Sequence, residues 1–457
     1  MSKLQLTFYS GVGTVTGANF LLESLRTRIL VDCGLIQGTL DSYSENIKPF
    51  EYDPKSVDYL FVTHAHMDHI GRVCKLVKEG FNGVIYSTEE TKSLANVMIA
   101  DALKVMSLKE KENIGDIKEE PLYNVNDFNK AMALWRTLPY YKKIKINEEF
   151  DVFLKDAGHI LGSSMYEFYF GGKKIVFTGD SGNSPAPLLK DTDRIDDADF
   201  LIVDSVYGDR NHEDKDIRDN RFKEVVLDTI KRGGALVIPA FSIERTQVIL
   251  YILNNLIEDK VIPSIPVFLD SPLALKVTDI YKHFIKDFNK EVKTEISGGD
   301  NIFSFPKLNI IHSREESGEI AKTPNPKIII AGSGMSSGGR VVGHEMQFLP
   351  DPNSTILLMG YQAVGTLGRR IQEKPREVEI NGSMVPVRAR IEMISGYSSH
   401  KDSDEIVNMV SNTANKLQKV FVVMGEPKSA LFLAQRLRDE LGVSVTYPER
   451  GLNYKLL

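Results

Sequence analysis

Cysteine is almost missing. Cys33 and Cys74 are the two thiols in 457 residues, too few for a disulfide framework or a Cys-rich zinc module, and in keeping with a reducing cytoplasm. Long apolar runs are missing as well. No stretch approaches the roughly 18 residues of a membrane-spanning helix. The start, MSKLQLTFYSG, has no apolar segment behind its lysine, so no signal peptide is expected. A cytoplasmic, soluble protein without membrane contact follows. An excess of positive charge is lacking too: 62 acidic against 56 basic side chains leave a net charge of −6. Any polyanion must therefore be held by a local basic patch rather than a basic coat. No repeat, low-complexity tract or obvious linker divides the chain. Its length exceeds one ordinary core, so two or three units are expected, one inserted in another.

What is present is a regular alternation. RILVDCG, YLFVTH, KIVFTGD, FLIVDSVYG, ALVIPAF, KIIIAGSG, TILLMGY and KVFVVMG each read as a buried strand ending in polar or turn residues. Ile70, Val73, Cys74 and Val77 recur at helical spacing behind the second of these, and SALFLAQRLRDELG is a helix with a glycine stop before the strand VSVTYP. The fold class is α/β, with polar residues gathered at strand ends, where such folds build sites. Residues 107–147 are more charged and carry the single tryptophan, Trp135; they read as helices and loop beside the main sheet. SGVGTVTGAN lacks the third glycine of a dinucleotide fingerprint and reads as a hairpin turn at the rim of a site. The end, YPERGLNYKLL, reads as a contact strand or a tail.

Histidine is scarce, nine in all, yet three of the nine fall in HAHMDH. On an extended strand alternate residues share a face, so His64 and His66 can serve one ion. Asp68 and His69 follow as the chain turns into a helix and can face a second. Imidazole with carboxylate suits zinc. Further ligands are expected at other strand ends: His159 in the glycine-flanked turn of DAGHILGSS, and Asp180 in KIVFTGDSG, placed to bridge two ions.

HAHMDH, His159, Asp180 and LVDCG together resemble the metallo-β-lactamase superfamily. DSVYGDR, IPAFSIERTQ, FLDSPLA, AGSGMSSGGR, GYQAVGTLGRR and SSHKD are similar to strings of its β-CASP nucleases, the bacterial and archaeal homologues of the cleavage and polyadenylation specificity factor nuclease subunit. The resemblance covers nearly the whole chain. It implies a metallo-β-lactamase αββα sandwich with an inserted α/β β-CASP domain: residues 1–205 for the first part, 206–376 for the insertion and 377–457 for the return. It implies two Zn2+ per chain, one held by His64, His66, His159 and Asp180 and the other by Asp68, His69, Asp180 and His400. Asp32 would orient a ligand or loop rather than touch metal.

By the same resemblance, His400 in SSHKD points to RNA, since DNA-acting members carry valine there. Asp68, Asp204, His400 and Arg370 form the implied catalytic set. Arg370 stands where the cleavage subunits have a histidine. It does not release its proton, so it is suited to hold a phosphate or pin Asp204, leaving Asp204, His400 or water to protonate the leaving group. Ser333, Gly334, Ser336 and Arg340, with Arg245, are the candidate substrate contacts. The implied activity is hydrolysis of single-stranded RNA by a hydroxide between two zincs, leaving 5′-phosphate and 3′-hydroxyl ends, with the insertion capping the site. The resemblance also allows a homodimer, and either endonuclease or 5′-to-3′ exonuclease action. The alternatives are a silent RNA-binding scaffold and a hydrolase of another substrate on the same core.

Overall fold

All five residues of the strand Phe200–Asp204 are buried, because it is covered on both faces. Phe200 and Ile202 enter one apolar core, Leu201 and Val203 another, as the two-residue period of a strand requires. This pattern defines the first unit of a computed structural model that describes residues 3–38, 41–112 and 121–457. The chain divides into two units, Met1–Asn211 with His400–Leu457, and His212–Ser399.

In the first unit one sheet runs, in spatial order, Asn453–Lys455, Gln5–Ser10, Asn19–Glu23, Arg28–Val31, Tyr59–Phe61, Val84–Ser87 and Trp135–Thr137. The other runs Val445–Thr446, Lys419–Val423, Phe200–Asp204, Lys173–Phe177, Ser164–Phe170, Asp151–Asp156 and Ile144–Lys145. Leu6, Phe8, Phe20 and Phe61 of the first interleave with Phe168, Phe177, Ile202 and Phe421 of the second. Helices cover the outer faces: Glu89–Glu112 and Val125–Leu134 on the first sheet, Ser403–Ser411 and Pro427–Leu441 on the second. That is the helix–sheet–sheet–helix layering expected. The helix expected after the histidines is broken in two, Met67–Ile70 and Val73–Lys78, at Gly71 and Arg72. Trp135 does not lie beside the sheet as the sequence suggests. It opens an edge strand parallel to Val84–Ser87 and is buried, its indole N–H donating to Ser87 Oγ at 2.8 Å. Residues 113–120 of that stretch lie outside the described residues. The terminal segment is a strand, Asn453–Lys455, antiparallel to Gln5–Ser10.

The second unit holds a six-stranded sheet in the order Leu308–Ile310, Val267–Asp270, Lys327–Ala331, Ala235–Pro239, Thr355–Leu358 and Arg390–Met393. Every pairing in it is parallel. Parallel strands need crossovers, which the intervening helices supply. The strand Arg390–Met393 corrects the expected return at 377: it pairs with Thr355–Leu358, so the chain stays in this unit through Ser399. At the other boundary Tyr207 bridges Asp402 and Ser403 N donates to Arg210 O at 3.2 Å, keeping 206–211 with the first unit.

Glu345, in the helix Val341–Phe348, is fully buried with Ser336 Oγ donating to its Oε1. Burial pushes its carboxyl up to about 7 from an ordinary 4.5. Between those values the unfolded chain has released the proton and the folded chain retains it. Stability therefore falls as pH rises through that window, by up to ~3 kcal/mol. Glu345→Gln removes this loss. The expected outcome is a variant with nearly the wild-type Tm at pH 5 and a higher one at pH 8; parallel pH profiles for the two proteins would refute it.

Candidate metal centre

Four strand ends and one returning segment build the centre in the first unit. The strand Tyr59–Phe61 runs on through Thr63 to His64 and His66, and His66 caps the short helix that carries Asp68 and His69. This helix packs on the segment after Val31 so closely that a Cβ on Gly34 would sit 1.4 Å from Asp68 O. Only glycine fits there, and Cys33 N→His69 O and Leu35 N→Met67 O, at 2.8 and 2.9 Å, lock the contact. His159 lies in the turn after Asp151–Asp156, its N–H held by Ser163 Oγ at 3.0 Å. Asp180 follows Lys173–Phe177, and Asp204 ends the neighbouring parallel strand, so register places the two carboxylates side by side. His400 arrives as the chain returns, bridging Gly182, with Lys401 N donating to Ser181 O at 2.8 Å.

Two groups of donor atoms result, sharing Asp180. His64, His66, His159 and Asp180 offer atoms all within 4.8 Å of one another. His66 Nδ1 faces His64 Nε2 at 3.1 Å and His159 Nε2 at 3.2 Å, and both Nε2 atoms lie 3.5 Å from Asp180 Oδ2. The second group is Asp180, Asp204 and His400, with His400 Nδ1 3.8 Å from Asp180 Oδ2 and 3.7 Å from Asp204 Oδ2. His69 Nε2 joins from the other side, 3.4 Å from Asp180 Oδ1 and 3.9 Å from Asp68 Oδ2. Asp204, expected as an acid beside the metals, thus stands among the donors themselves. His69 Nε2, Asp180 Oδ1 and Asp204 Oδ2 are buried without a hydrogen-bond partner among the described residues. Unsatisfied buried donors and acceptors are costly. Imidazole nitrogens and carboxylate oxygens converging in this way fit zinc.

The ligands are oriented from behind. Asp32 accepts from Thr63 N and Thr63 Oγ1, each at 2.7 Å, and its Oδ2 meets His69 Nδ1 at 2.8 Å. A proton on Nδ1 leaves Nε2 free to ligate. Thr63 Oγ1 lies 3.0 Å from His64 Nδ1. Ser181 donates from its N–H and its hydroxyl to Asp204 Oδ1, at 3.1 and 2.8 Å. Thr63 and Ser181 escape sequence reasoning: a threonine before a histidine, or a serine after an aspartate, carries no signal until the fold turns it toward a ligand.

In the metal-free protein, burial pushes the His64 ring well below its ordinary value, with His69 adding to the effect. Burial acts the same way on His69, but the Asp180 and Asp32 charges outweigh it and hold that ring well above. Asp180 is raised by burial yet kept well below the usual range by His69 and His64. Burial pushes Asp68 up to about 6, and raises Asp204 with help from the Asp180 charge. His400 is raised because Asp204 and Asp180 outweigh its burial. The centre thus stores protons that cations would displace.

The remaining residues singled out in the sequence lie in the second unit. Ser333, Gly334, Ser336 and Arg340 occupy the loop after Lys327–Ala331. Arg340 does not offer its fork to a ligand as expected: Nη1 donates to Asp270 Oδ1 at 2.5 Å and Nη2 to His312 O at 3.2 Å, tying the loop to the sheet end. Arg245, expected to face a groove, is buried at the start of Arg245–Glu258, its guanidinium 3.4 Å from where a Cβ on Gly360 would lie. Arg370, in Leu367–Gln372, is exposed.

Comparison with known proteins agrees with this geometry. The metallo-β-lactamase superfamily matches residues 13–224, the β-CASP domain residues 246–371, and a Zn-dependent metallo-hydrolase RNA specificity domain residues 384–448. A ribonuclease of Thermus thermophilus is 33% identical over 95% of this chain and 96% of its own. An RNase J-like protein of Methanocaldococcus jannaschii is 31% identical over 98% of each chain. The transcription termination factor FttA of Methanosarcina mazei is 30% identical over 96% of this chain and 70% of its own. A solved Enterococcus faecalis protein of unknown function, 14% identical, shares the fold with a TM-score of 0.56 over 99% of this chain and all of that one. Three domain families in this order, and relatives matched almost from end to end, make the chain a β-CASP ribonuclease family member of the metallo-β-lactamase superfamily.

Proposed function

We propose that the chain is a zinc-dependent ribonuclease that hydrolyses phosphodiester bonds of single-stranded RNA, leaving 5′-phosphate and 3′-hydroxyl ends. The observation that carries this is the pair of donor groups sharing Asp180, the arrangement of a two-ion site. One ion would be held by His64, His66, His159 and Asp180; the other by Asp180 and His400 with Asp68, His69 and Asp204 at its border. Bound zinc supplies Lewis acidity, polarising a phosphoryl oxygen and acidifying water. The RNA specificity domain match and the ribonucleases among the relatives support RNA as substrate.

The chain's own residues divide the remaining work. Asp32 and Thr63 hold the His69 and His64 rings so that their Nε2 atoms face Asp180. Ser181 fixes one oxygen of Asp204 and leaves the other toward His400 Nδ1. With His400 and Asp204 engaged at the second ion, the leaving 3′ oxygen would take its proton from water as its bond to phosphorus breaks. Arg370, exposed and always charged, is the phosphate contact. Arg340 is engaged by Asp270 and His312 O, and Arg245 is buried, so neither is assigned to the RNA.

Two measurements test the proposal. With end-labelled single-stranded RNA, Asp180→Ala should lose zinc by mass spectrometry and lose hydrolysis by at least about a thousandfold. Equal turnover by variant and wild type would sink the two-ion proposal, and a zinc-free, inactive wild type would favour a scaffold. Discrete fragments first would mean endonuclease action, mononucleotides first exonuclease action. Asp32→Asn should keep the fold but weaken zinc affinity roughly 10–100-fold in a competition titration with a chromophoric chelator; unchanged affinity would remove Asp32 from any orienting role.

A further inference from the structure

The carboxyl edge of the parallel sheet in the second unit displays a large apolar side chain where solvent reaches it. Phe241 follows the strand Ala235–Pro239 and is 39% exposed in the whole chain. Its loop is rigid. Ala240 N donates to Ala331 O at 2.9 Å, and Phe241 O accepts from Thr246 Oγ1 at 2.7 Å and Thr246 N at 3.3 Å. Glu244 is held in the left-handed region at φ 62°, its Oε2 accepting from Tyr281 OH at 2.6 Å. A strained, over-determined loop of this kind spends stability to aim what it carries.

The ring is also backed. A Cβ on Gly334 would lie 2.5 Å from Phe241 Cδ2 and 2.8 Å from both Cγ and Cε2. Nearly equal distances to three consecutive ring atoms put that point over the ring face, not beside its edge. The glycine backbone therefore buttresses one face, and Gln362 Nε2 steadies it by donating to Gly334 O at 3.1 Å. Hydroxyls gather at the neighbouring Gly332. Ser271 Oγ and Ser242 Oγ lie 3.7 and 4.0 Å from a Cβ position on Gly332, and Ser333 Oγ accepts from Ser337 N at 3.0 Å. A single half-exposed aromatic side chain, held by an anchored loop and backed by a glycine, suits the flat face of an unpaired nucleobase.

We propose that Phe241 is a base-stacking platform, taking one unpaired nucleobase of the RNA on the ring face opposite Gly334. The proposal rests on the ribonuclease reading and adds a specificity to it. Stacking accepts any base, because every base has a π-face, but a base inside a duplex has neither face to offer. Phe241 would then help to select single strands without selecting sequence.

The test is equilibrium binding, by fluorescence anisotropy, of the chelator-treated full-length protein to two labelled probes. One is a short single-stranded RNA, the other the same sugar–phosphate chain with abasic positions. Wild type is expected to prefer the intact RNA. Phe241→Leu, which keeps an apolar side chain for folding, and Phe241→Ala should bind intact RNA about tenfold more weakly and the abasic chain unchanged. Phe241→Trp should keep the preference. Leu and Ala variants that discriminate as wild type does would overturn the platform and leave the ribonuclease reading standing on its hydrolysis assay. A wild type that binds neither probe and cleaves no RNA would overturn both.

Discussion

A single carboxylate, Asp180, lies buried with histidines on either side of it: His64 and His159 against Oδ2, His69 against Oδ1, His400 beyond. A buried charge persists only when it is compensated. Here the compensation decides where five segments of the first unit must end. The strand Lys173–Phe177 delivers Asp180, and its parallel neighbour delivers Asp204 at the same level. The two-sheet core brings Thr63 over the start of Ser164–Phe170, where Ser164 N donates to Thr63 O at 2.8 Å. Packing that needs no metal thus sets the distances at which the metal ligands meet.

The sequence shows this centre unevenly, for physical reasons. His64, His66, Asp68 and His69 are legible because strand and turn geometry act over a few residues. His159 and Asp180 are legible as polar residues at strand ends, though nothing in their spacing says that they meet. His400 is readable only through family resemblance, because its approach to Gly182 depends on a chain return that no local pattern encodes. The eight strands read as continuous apolar runs are all present, but others such as Gln5–Ser10 and Asp151–Asp156 escape that reading; the second of these alternates buried and half-buried residues and so writes no such run. Arg340 and Arg245 were not legible either: the guanidinium of Arg340 is fixed by Asp270, which lies 70 residues away in the chain, and Arg245 is buried where its helix begins. A glycine-rich loop beside an arginine looks the same in sequence whether the arginine faces ligand or anchors the loop.

The two units use strand ends in opposite ways. The first gathers charge at its strand ends: carboxylates and imidazoles, with orphaned atoms left for a cation. In the second, the charged groups at the sheet end are spent on one another. Asp270 takes Arg340, His344 and Ser317. Among the side chains that the second unit leaves outward are an arginine, Arg370, and a ring, Phe241. In the proposed reading, the first unit would act on the phosphodiester and the second would present Arg370 and Phe241 to the strand.

This division has a thermodynamic consequence. The carboxylates of Asp68 and Asp204 resist ionising where they are buried, and His69 and His400 keep protons that two cations would expel. Metal binding therefore offsets a cost of folding the first unit, and stabilises it by RT ln(1 + [Zn]/Kd). The second unit has its own buried acid, Glu345, but that group answers to protons alone. A bound cation would thus act on the first unit, whose own acids and imidazoles also titrate, whereas the buried acid of the second unit answers to pH without any metal.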